Sequence, residues 1–280
     1  MIDRYCVIGN PVAHSRSPAI HAEFARQSGQ QLVYERCLAP LDGFAATVHA
    51  LVASGYRGAN VTLPFKLDAA ALADTLTARA HAAGAVNTLS FTGDAIVGDN
   101  TDGVGLVNDI VRNAGVAIAA RRVLLLGAGG AARGAILPLL EQGPRQLVIA
   151  NRTGATAAAL AARFAPASRD AVAGVDGVDV SSCEFADLDG HFDIVINATS
   201  ASLAGAMPAL PAGLFGPGAL ALDMMYGPVP SPFMQCAAAE GAQVRDGLGM
   251  LVEQAACAFF LWRGVAPETG ALLAALRLQP

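Results

Sequence analysis

Charge, aromatic rings and long apolar runs are all in short supply in this chain. Aspartate, glutamate, lysine and arginine make up 15% of its 280 residues, aromatic residues 6%, and there is one tryptophan. With hydrophobic residues at 54%, so little charge excludes a disordered, solvated chain. The 18 basic residues face 23 acidic ones, and a net charge of −5 leaves no electrostatic footprint for nucleic acid or an anionic membrane surface. Any anion must therefore be bound locally. Arg133 and several prolines interrupt the apolar stretches before they reach bilayer length, so no membrane span is expected. The start, Met1-Ile-Asp-Arg-Tyr5, has an acid where a secretory signal keeps basic residues. Cysteine is scarce too: Cys6, Cys37, Cys183, Cys236 and Cys257 are odd in number and widely spread, with no Cys-x-x-Cys pair. No His-Glu-x-x-His run occurs either, so neither a disulfide framework nor a metal site is expected. Reduced, mostly buried thiols in a cytoplasmic protein are the expectation.

What the chain does have is length and alternation. At 280 residues it can bury one large or two modest cores, and two domains are expected. Short β-rich runs, Tyr5–Ile8, Gln31–Arg36 and Ala59–Thr62, alternate with helical stretches. Ser17-Pro18 reads as an N-cap followed by a first-turn proline, and Leu41, Phe44, Val48, Leu51 and Val52 recur at helical spacing. That order implies a mostly parallel sheet, with a β-hairpin over Asn87–Gly98 turning at Thr92-Gly93-Asp94. Further on, a helix is expected over Asp102–Ala114, strands near Val123, Leu147, Phe192–Asn197 and Ala219–Asp223, and a last apolar helix over Gly249–Gly264. Residues 165–180 carry no clear period. We expect two α/β domains with a cleft between them: a substrate domain of residues 1–101 completed by about 243–280, and a Rossmann-type domain of residues 102–242.

The apolar run Val123–Leu126 leads into a glycine-rich turn, Gly127-Ala-Gly-Gly-Ala-Ala-Arg-Gly134. Such a turn lets backbone N–H groups approach a pyrophosphate and starts a helix whose N-terminus favours the anion. The next strand should end beside an adenosine ribose. An acid there accepts from a free 2′-hydroxyl, whereas a basic residue accommodates a 2′-phosphate. Here Asn151, Arg152 and Thr153 follow that strand, so NADP is the expected cofactor.

Three other segments carry chemistry. Gly58-Ala-Asn-Val-Thr-Leu-Pro-Phe-Lys66 sets a lysine just beyond a strand, at the sheet edge where open α/β folds bind ligands, although a solvated lysine in a first helical turn fits as well. Gly98-Asp-Asn-Thr-Asp-Gly103 places Asp102 at a helix start, where simple capping is the plain alternative. Reduction of a carbonyl by NADPH needs a proton donor for the developing alkoxide, and Lys66 with Asp102 could supply it. Ser15 and Ser17 stand beside a helix N-terminus, a place for a small carboxylate. His14, a lone loop histidine, reads as structural.

Taken together these segments resemble the shikimate dehydrogenase family. Gly9-Asn-Pro11, Ser15-Arg-Ser-Pro18, Asn60-Val-Thr-Leu-Pro-Phe-Lys66, Gly84-Ala-Val-Asn-Thr88, Gly98–Gly103, Gly127–Ala131, Asn151-Arg-Thr153, Asn197-Ala-Thr-Ser200 and Asp246-Gly-Leu-Gly-Met250 stand in the family's order over nearly the whole chain. The resemblance implies reversible, NADP-linked interconversion of shikimate and 3-dehydroshikimate on the route to chorismate and aromatic amino acids. It implies Lys66 and Asp102 as the acid/base pair, Ser15, Ser17 and Tyr226 at the substrate carboxylate, and Thr62, Asn87, Asp102 and Gln254 at the ring hydroxyls. It further implies Gly127, Ala128, Gly129, Gly130 and Ala131 around the pyrophosphate, Asn151, Arg152 and Thr153 at the 2′-phosphate, and Met224 and Gly249 beside the nicotinamide.

One position departs from the pattern. Many NADP-dependent relatives carry a second basic residue where this chain has Thr156. A threonine can donate one hydrogen bond to the phosphate but brings no charge, so a weaker preference for NADP over NAD is expected. Two alternatives remain at this point: a quinate/shikimate dehydrogenase of broader range, which often uses NAD, and a non-catalytic sensor of shikimate-like ligands or NADP. A sensor would be expected to lose Lys66 or Asp102. Monomer and homodimer are both open.

Overall fold

In the computed structural model, residues 2–93, 95–164 and 177–278 are described. They form two compact units, one of Met1–Gly105 with Leu251–Gln279, the other Leu106–Met250.

The first unit is built on six strands, β1 (Asp3–Gly9), β2 (Leu32–Leu38), β3 (Tyr56–Val61), β4 (Thr75–Leu76), β5 (Thr88–Thr92) and β6 (Ala95–Asp99), ordered β2-β1-β3-β5-β6-β4. β1 pairs parallel with β2 and β3, whereas β5 runs antiparallel to both β3 and β6. The sheet is therefore mixed rather than mostly parallel, because the short hairpin turns the chain back without a crossover. Gly93, with φ 61°, supplies the left-handed residue of that turn; the expected turn residue Asp94 lies outside the described residues. The helices are α1 (Ser17–Ser28), α2 (Phe44–Ala53), α3 (Lys66–Leu72), α4 (Ala78–Ala83), the first half of α5 (Asp102–Asn108) and, from later in the chain, all but the first three residues of α9 (Leu248–Arg263), and α10 (Gly270–Arg277). One face of the sheet buries Cys6, Ile8, Ala59, Val61 and Leu89 with Phe44, Val48 and Phe65. On the other, Tyr5, Val7 and Tyr34 pack with Trp262.

Trp262 fixes the end of α9 in this unit. Its ring stacks on Tyr5 at 4.6 Å and its Nε1 donates to the Leu89 carbonyl at 3.2 Å. The strand beneath is glycine at this point for a reason: a Cβ on Gly58 would stand 2.6 Å from Trp262 Nε1 and from the Leu89 carbonyl oxygen.

His21 lies in the same aromatic layer, stacked on Tyr34 at 4.1 Å and close to Phe24, Phe259 and Trp262. It is fully buried, and neither ring nitrogen has a hydrogen-bond partner among the described residues. Burial drives its pKa down to about 3, against a small opposing influence from the Asn60 side chain. The unfolded chain takes up this proton below about pH 6.5, while the folded chain refuses it until about pH 3. His21 thus contributes stability that is complete above pH 6.5 and is lost as pH falls toward 3, at about 1.4 kcal/mol per pH unit. Urea titrations of wild type and His21→Leu between pH 7 and pH 4 should show that slope in the wild type and its loss in the variant. Parallel slopes would refute the assignment.

The second unit has six parallel strands, β7 (Arg122–Leu126), β8 (Gln146–Asn151), β9 (Asp179–Glu184), β10 (Phe192–Asn197), β11 (Phe215–Asp223) and β12 (Gln243–Arg245), ordered β12-β11-β10-β7-β8-β9. The helices α6 (Gly130–Leu140), α7 (Gly154–Ala162) and α8 (Pro232–Ala239) follow β7, β8 and β11. The order reverses at β7, which has β8 on one side and β10 on the other. In such sheets ligands bind outside the carboxyl ends of the strands at that switch point. The Val-Leu-Leu-Leu run of β7 is wholly buried, as a central parallel strand requires.

Several details differ from the sequence reading. α1 starts at Ser17 with Arg16 as its cap, because the Ser15 hydroxyl accepts from the Ser17 N–H and Ser17 itself is buried. The helix expected over Asp102–Ala114 ends at Asn108 and opens into a π-helical turn, Asp109–Asn113. There the buried Asp109 carboxylate accepts from Arg245 at 2.6 Å and from Asn113 at 3.1 Å. Of the five free cysteines, Cys6 alone is buried; the other four are half-buried.

Candidate active site

The segment after β3 delivers Lys66. Val61 closes the strand, Thr62 hands its N–H to the Ile8 carbonyl at 2.9 Å, and buried Phe65 anchors the start of α3, whose first residue is Lys66. The hairpin delivers Asp102. Asp99, at the end of β6, accepts from both ends of the Arg79 guanidinium at 2.6 and 2.7 Å and from Thr77 at 2.7 Å. Burial alone would raise the Asp99 carboxyl, but the Arg79 fork and these hydrogen bonds hold it below its usual value. Asn100 then donates to the Ala85 carbonyl at 2.9 Å and accepts from the Asp102 N–H at 3.1 Å, which sets the first turn of α5.

The two segments meet. Lys66 Nζ donates to Asp102 Oδ2 at 2.5 Å, with Asp102 almost fully buried. Asp102 Oδ1 accepts from Asn87 Nδ2 at 2.8 Å. The same Asn87 amide lies 2.9 Å from Thr101 Oγ1 and 3.2 Å from Gln254 Oε1, and its Oδ1 accepts from the Thr101 N–H at 2.8 Å. Gln254 is oriented by donating to the Leu251 carbonyl at 2.9 Å. A lysine ammonium held by a carboxylate, ringed by neutral amides and hydroxyls, can deliver a proton to an oxygen and read hydroxyl groups around it.

Of the residues named from sequence, Lys66, Asn87, Asp102 and Gln254 are joined by hydrogen bonds. Thr62 is tied to β1 through its backbone, and Gly9 is small because a Cβ there would meet Thr62 Cγ2 at 2.4 Å. Ser15 stands in a separate turn that leads into Ser17, the first residue of α1, while Tyr226 belongs to the second unit. Two residues that the sequence reading named only within motifs and strands, without a role, also matter here. Arg36, on β2, donates twice to the Ser15 carbonyl, at 3.1 and 2.6 Å, and so fixes that turn. Asn60 bridges Tyr34 and Thr88 beneath Asn87. Their polarity within strand patterns was the available signal.

In the second unit the glycine turn sits at the switch point. Gly127 has φ 105°, and a Cβ there would press on Thr199 Cγ2 at 3.2 Å and on the Ala198 carbonyl at 3.3 Å. Gly129 caps α6 with extended backbone and no side-chain cap, and a Cβ there would meet nothing within 4 Å, so the first N–H groups of α6 are approachable. Arg152 is exposed and forms no ion pair among the described residues. These features fit a dinucleotide phosphate chain and a further phosphate at the ribose. Met224 is buried, and Gly247 and Gly249 admit no side chain: a Cβ on Gly247 would lie 2.1 Å from the Met224 carbonyl oxygen, and one on Gly249 even closer to the Asp109 carboxylate.

Comparison with known proteins decides the family. Residues 7–89 match the shikimate dehydrogenase substrate binding domain, 109–204 the shikimate/quinate 5-dehydrogenase domain, and 247–277 the shikimate 5-dehydrogenase C-terminal domain. A shikimate dehydrogenase (NADP(+)) of Herminiimonas arsenicoxydans is 62% identical over 279 residues, covering 100% of this chain and 98% of the relative. The chain belongs to the shikimate dehydrogenase family. Its fold follows: a solved Ael1 enzyme from Pseudomonas putida is 48% identical with a TM-score of 0.87, covering 98% of each chain. The shikimate 5-dehydrogenase of Thermus thermophilus, solved in complex with NADP(H) and shikimate, is 34% identical with a TM-score of 0.84, covering 99% of each chain. Like other family members, this chain is an oxidoreductase acting on a small molecule with NADP as cofactor. Among the described residues no helix is long and apolar enough to cross a membrane.

Proposed function

We propose that this protein catalyses the reversible NADP-linked interconversion of 3-dehydroshikimate and shikimate in the biosynthesis of chorismate and aromatic amino acids, acting in the cytoplasm as a monomer or homodimer. The observation that carries this reading is the Lys66–Asp102 pair at 2.5 Å, with Asn87 and Gln254 converging on it. NADPH, when bound, supplies the hydride. Lys66 gives its proton to the oxygen that becomes the alcohol, and in the reverse direction takes it back. Asp102 holds the ammonium in place and accepts from a ring hydroxyl, while Thr62, Asn87 and Gln254 offer neutral donors and acceptors to the remaining hydroxyls. A site of this kind rejects analogues that lack a hydroxyl, because its own buried groups are then left unpaired. Ser15 and Ser17 receive the carboxylate. Gly127 to Ala131 would hold the pyrophosphate, Asn151, Arg152, Thr153 and Thr156 the 2′-phosphate, and Met224 and Gly249 the nicotinamide.

The retained pair disfavours a non-catalytic sensor, and Asn151-Arg152 in place of an acid disfavours an NAD-linked quinate enzyme. A panel of shikimate and quinate against NADP and NAD, followed at 340 nm, tests the proposal. Turnover should be fastest with shikimate and NADP. Ligand binding without turnover would establish the sensor instead.

A further inference from the structure

The acid missing from the end of β8 is present on the neighbouring strand. In the parallel pairing of β8 with β9, Asn151 lies opposite Glu184, the last residue of β9. The Glu184 side chain reaches over the start of α7, where its Oε1 accepts from the Gly154 N–H at 3.2 Å. It lies close against the backbone there: a Cβ on Gly154 would meet Glu184 Cγ at 2.8 Å and Oε1 at 2.9 Å. Thr153 caps α7 without a side-chain hydrogen bond, and the first turn of α7 contains no acid of its own. Glu184 is exposed and pairs with no cation among the described residues, Arg152 included.

We propose that Glu184 is a cofactor-specificity residue that opposes the 2′-phosphate and supports binding of the unphosphorylated dinucleotide. The inference rests on the dinucleotide reading of Asn151 to Thr153. A carboxylate already bonded to a helix N-terminal N–H takes up a donor and a favourable potential that a phosphate would otherwise use. It also sets a like charge beside the phosphate dianion. Opposite a ribose with a free 2′-hydroxyl the same carboxylate is an acceptor, the part an acid plays in NAD-selective folds. With threonine at 156 in place of a second cation, Arg152 works against Glu184 alone.

The test uses Glu184→Gln, which keeps an oxygen for the Gly154 N–H and removes the charge. Calorimetric titration with 2′,5′-ADP and with 5′-ADP reads the site without any turnover, and kcat/KM for NADP and NAD reads it in the working enzyme. The variant should bind 2′,5′-ADP about three- to tenfold more tightly, the size expected of one exposed charge acting on a dianion, with 5′-ADP unchanged or weaker. The NADP to NAD ratio of kcat/KM should rise by the same factor, and the gain should shrink in high salt. Unchanged affinity for 2′,5′-ADP, or weaker binding in the variant, overturns the proposal. A wild-type protein that binds 2′,5′-ADP but oxidises no shikimate would overturn the proposed function while leaving the titration to decide the role of Glu184.

Discussion

Replacing Lys66 with alanine should lower kcat for shikimate oxidation by about 10²- to 10⁴-fold, the range typical of a lost general acid or base, with a much smaller change in KM. The structure gives the reason for that split. Lys66 Nζ faces Asp102, and the ring of Asn87, Thr101 and Gln254 is assembled without it. Removing the ammonium leaves the buried Asp102 carboxylate with Asn87 as its remaining side-chain donor, so some loss of stability is also expected. Thermal melting of the variant separates this from the chemical defect. A near-normal kcat in a folded Lys66→Ala protein would transfer the proton step to Asp102 or to water.

Reversing the charge at Arg152 should have the second largest effect. Arg152→Asp removes the cation assigned to the 2′-phosphate and adds repulsion beside Glu184, so the NADP to NAD ratio of kcat/KM should fall on the order of 10²-fold. Turnover with saturating NAD should survive, because Arg152 lies just past the end of β8 and the Lys66–Asp102 pair is built from other segments. A ratio unchanged in the variant would mean that the phosphate is held by other groups. The outcome bears directly on Thr156, which brings no second cation beside Arg152.

How much of this could be read from the chain alone depended on how local the signal was. β7 and β8 were legible because each is a buried apolar run ending in a turn of restricted chemistry. β9 was not: Asp-Val-Ser-Ser-Cys-Glu is polar and only half-buried, and its place at the sheet edge comes from pairing with β8 rather than from its own pattern. α10, beyond the last expected helix, and the three-residue β12 were missed as well. At the site, Lys66 and Asp102 stand 36 positions apart: local pattern set the first at a sheet edge and the second at a helix start, and only the chemistry of carbonyl reduction and the resemblance paired them. Arg36 on Ser15, Arg245 on Asp109 and Glu184 on Gly154 are contacts of the same kind, made by tertiary pairing and silent in local sequence.

The tryptophan over Gly58 bears on the order of synthesis. Tyr5, His21, Tyr34 and the strands beneath them leave the ribosome long before Phe259 and Trp262, the rings that cover them. The second unit, contiguous from Leu106 to Met250, has all its strands in hand by then. Since domains fold as units while the chain is made, the half that emerges first is completed last. Until α9 arrives, the nascent protein carries an uncovered aromatic face, and a ribosome stalled before that helix would expose it to chaperones.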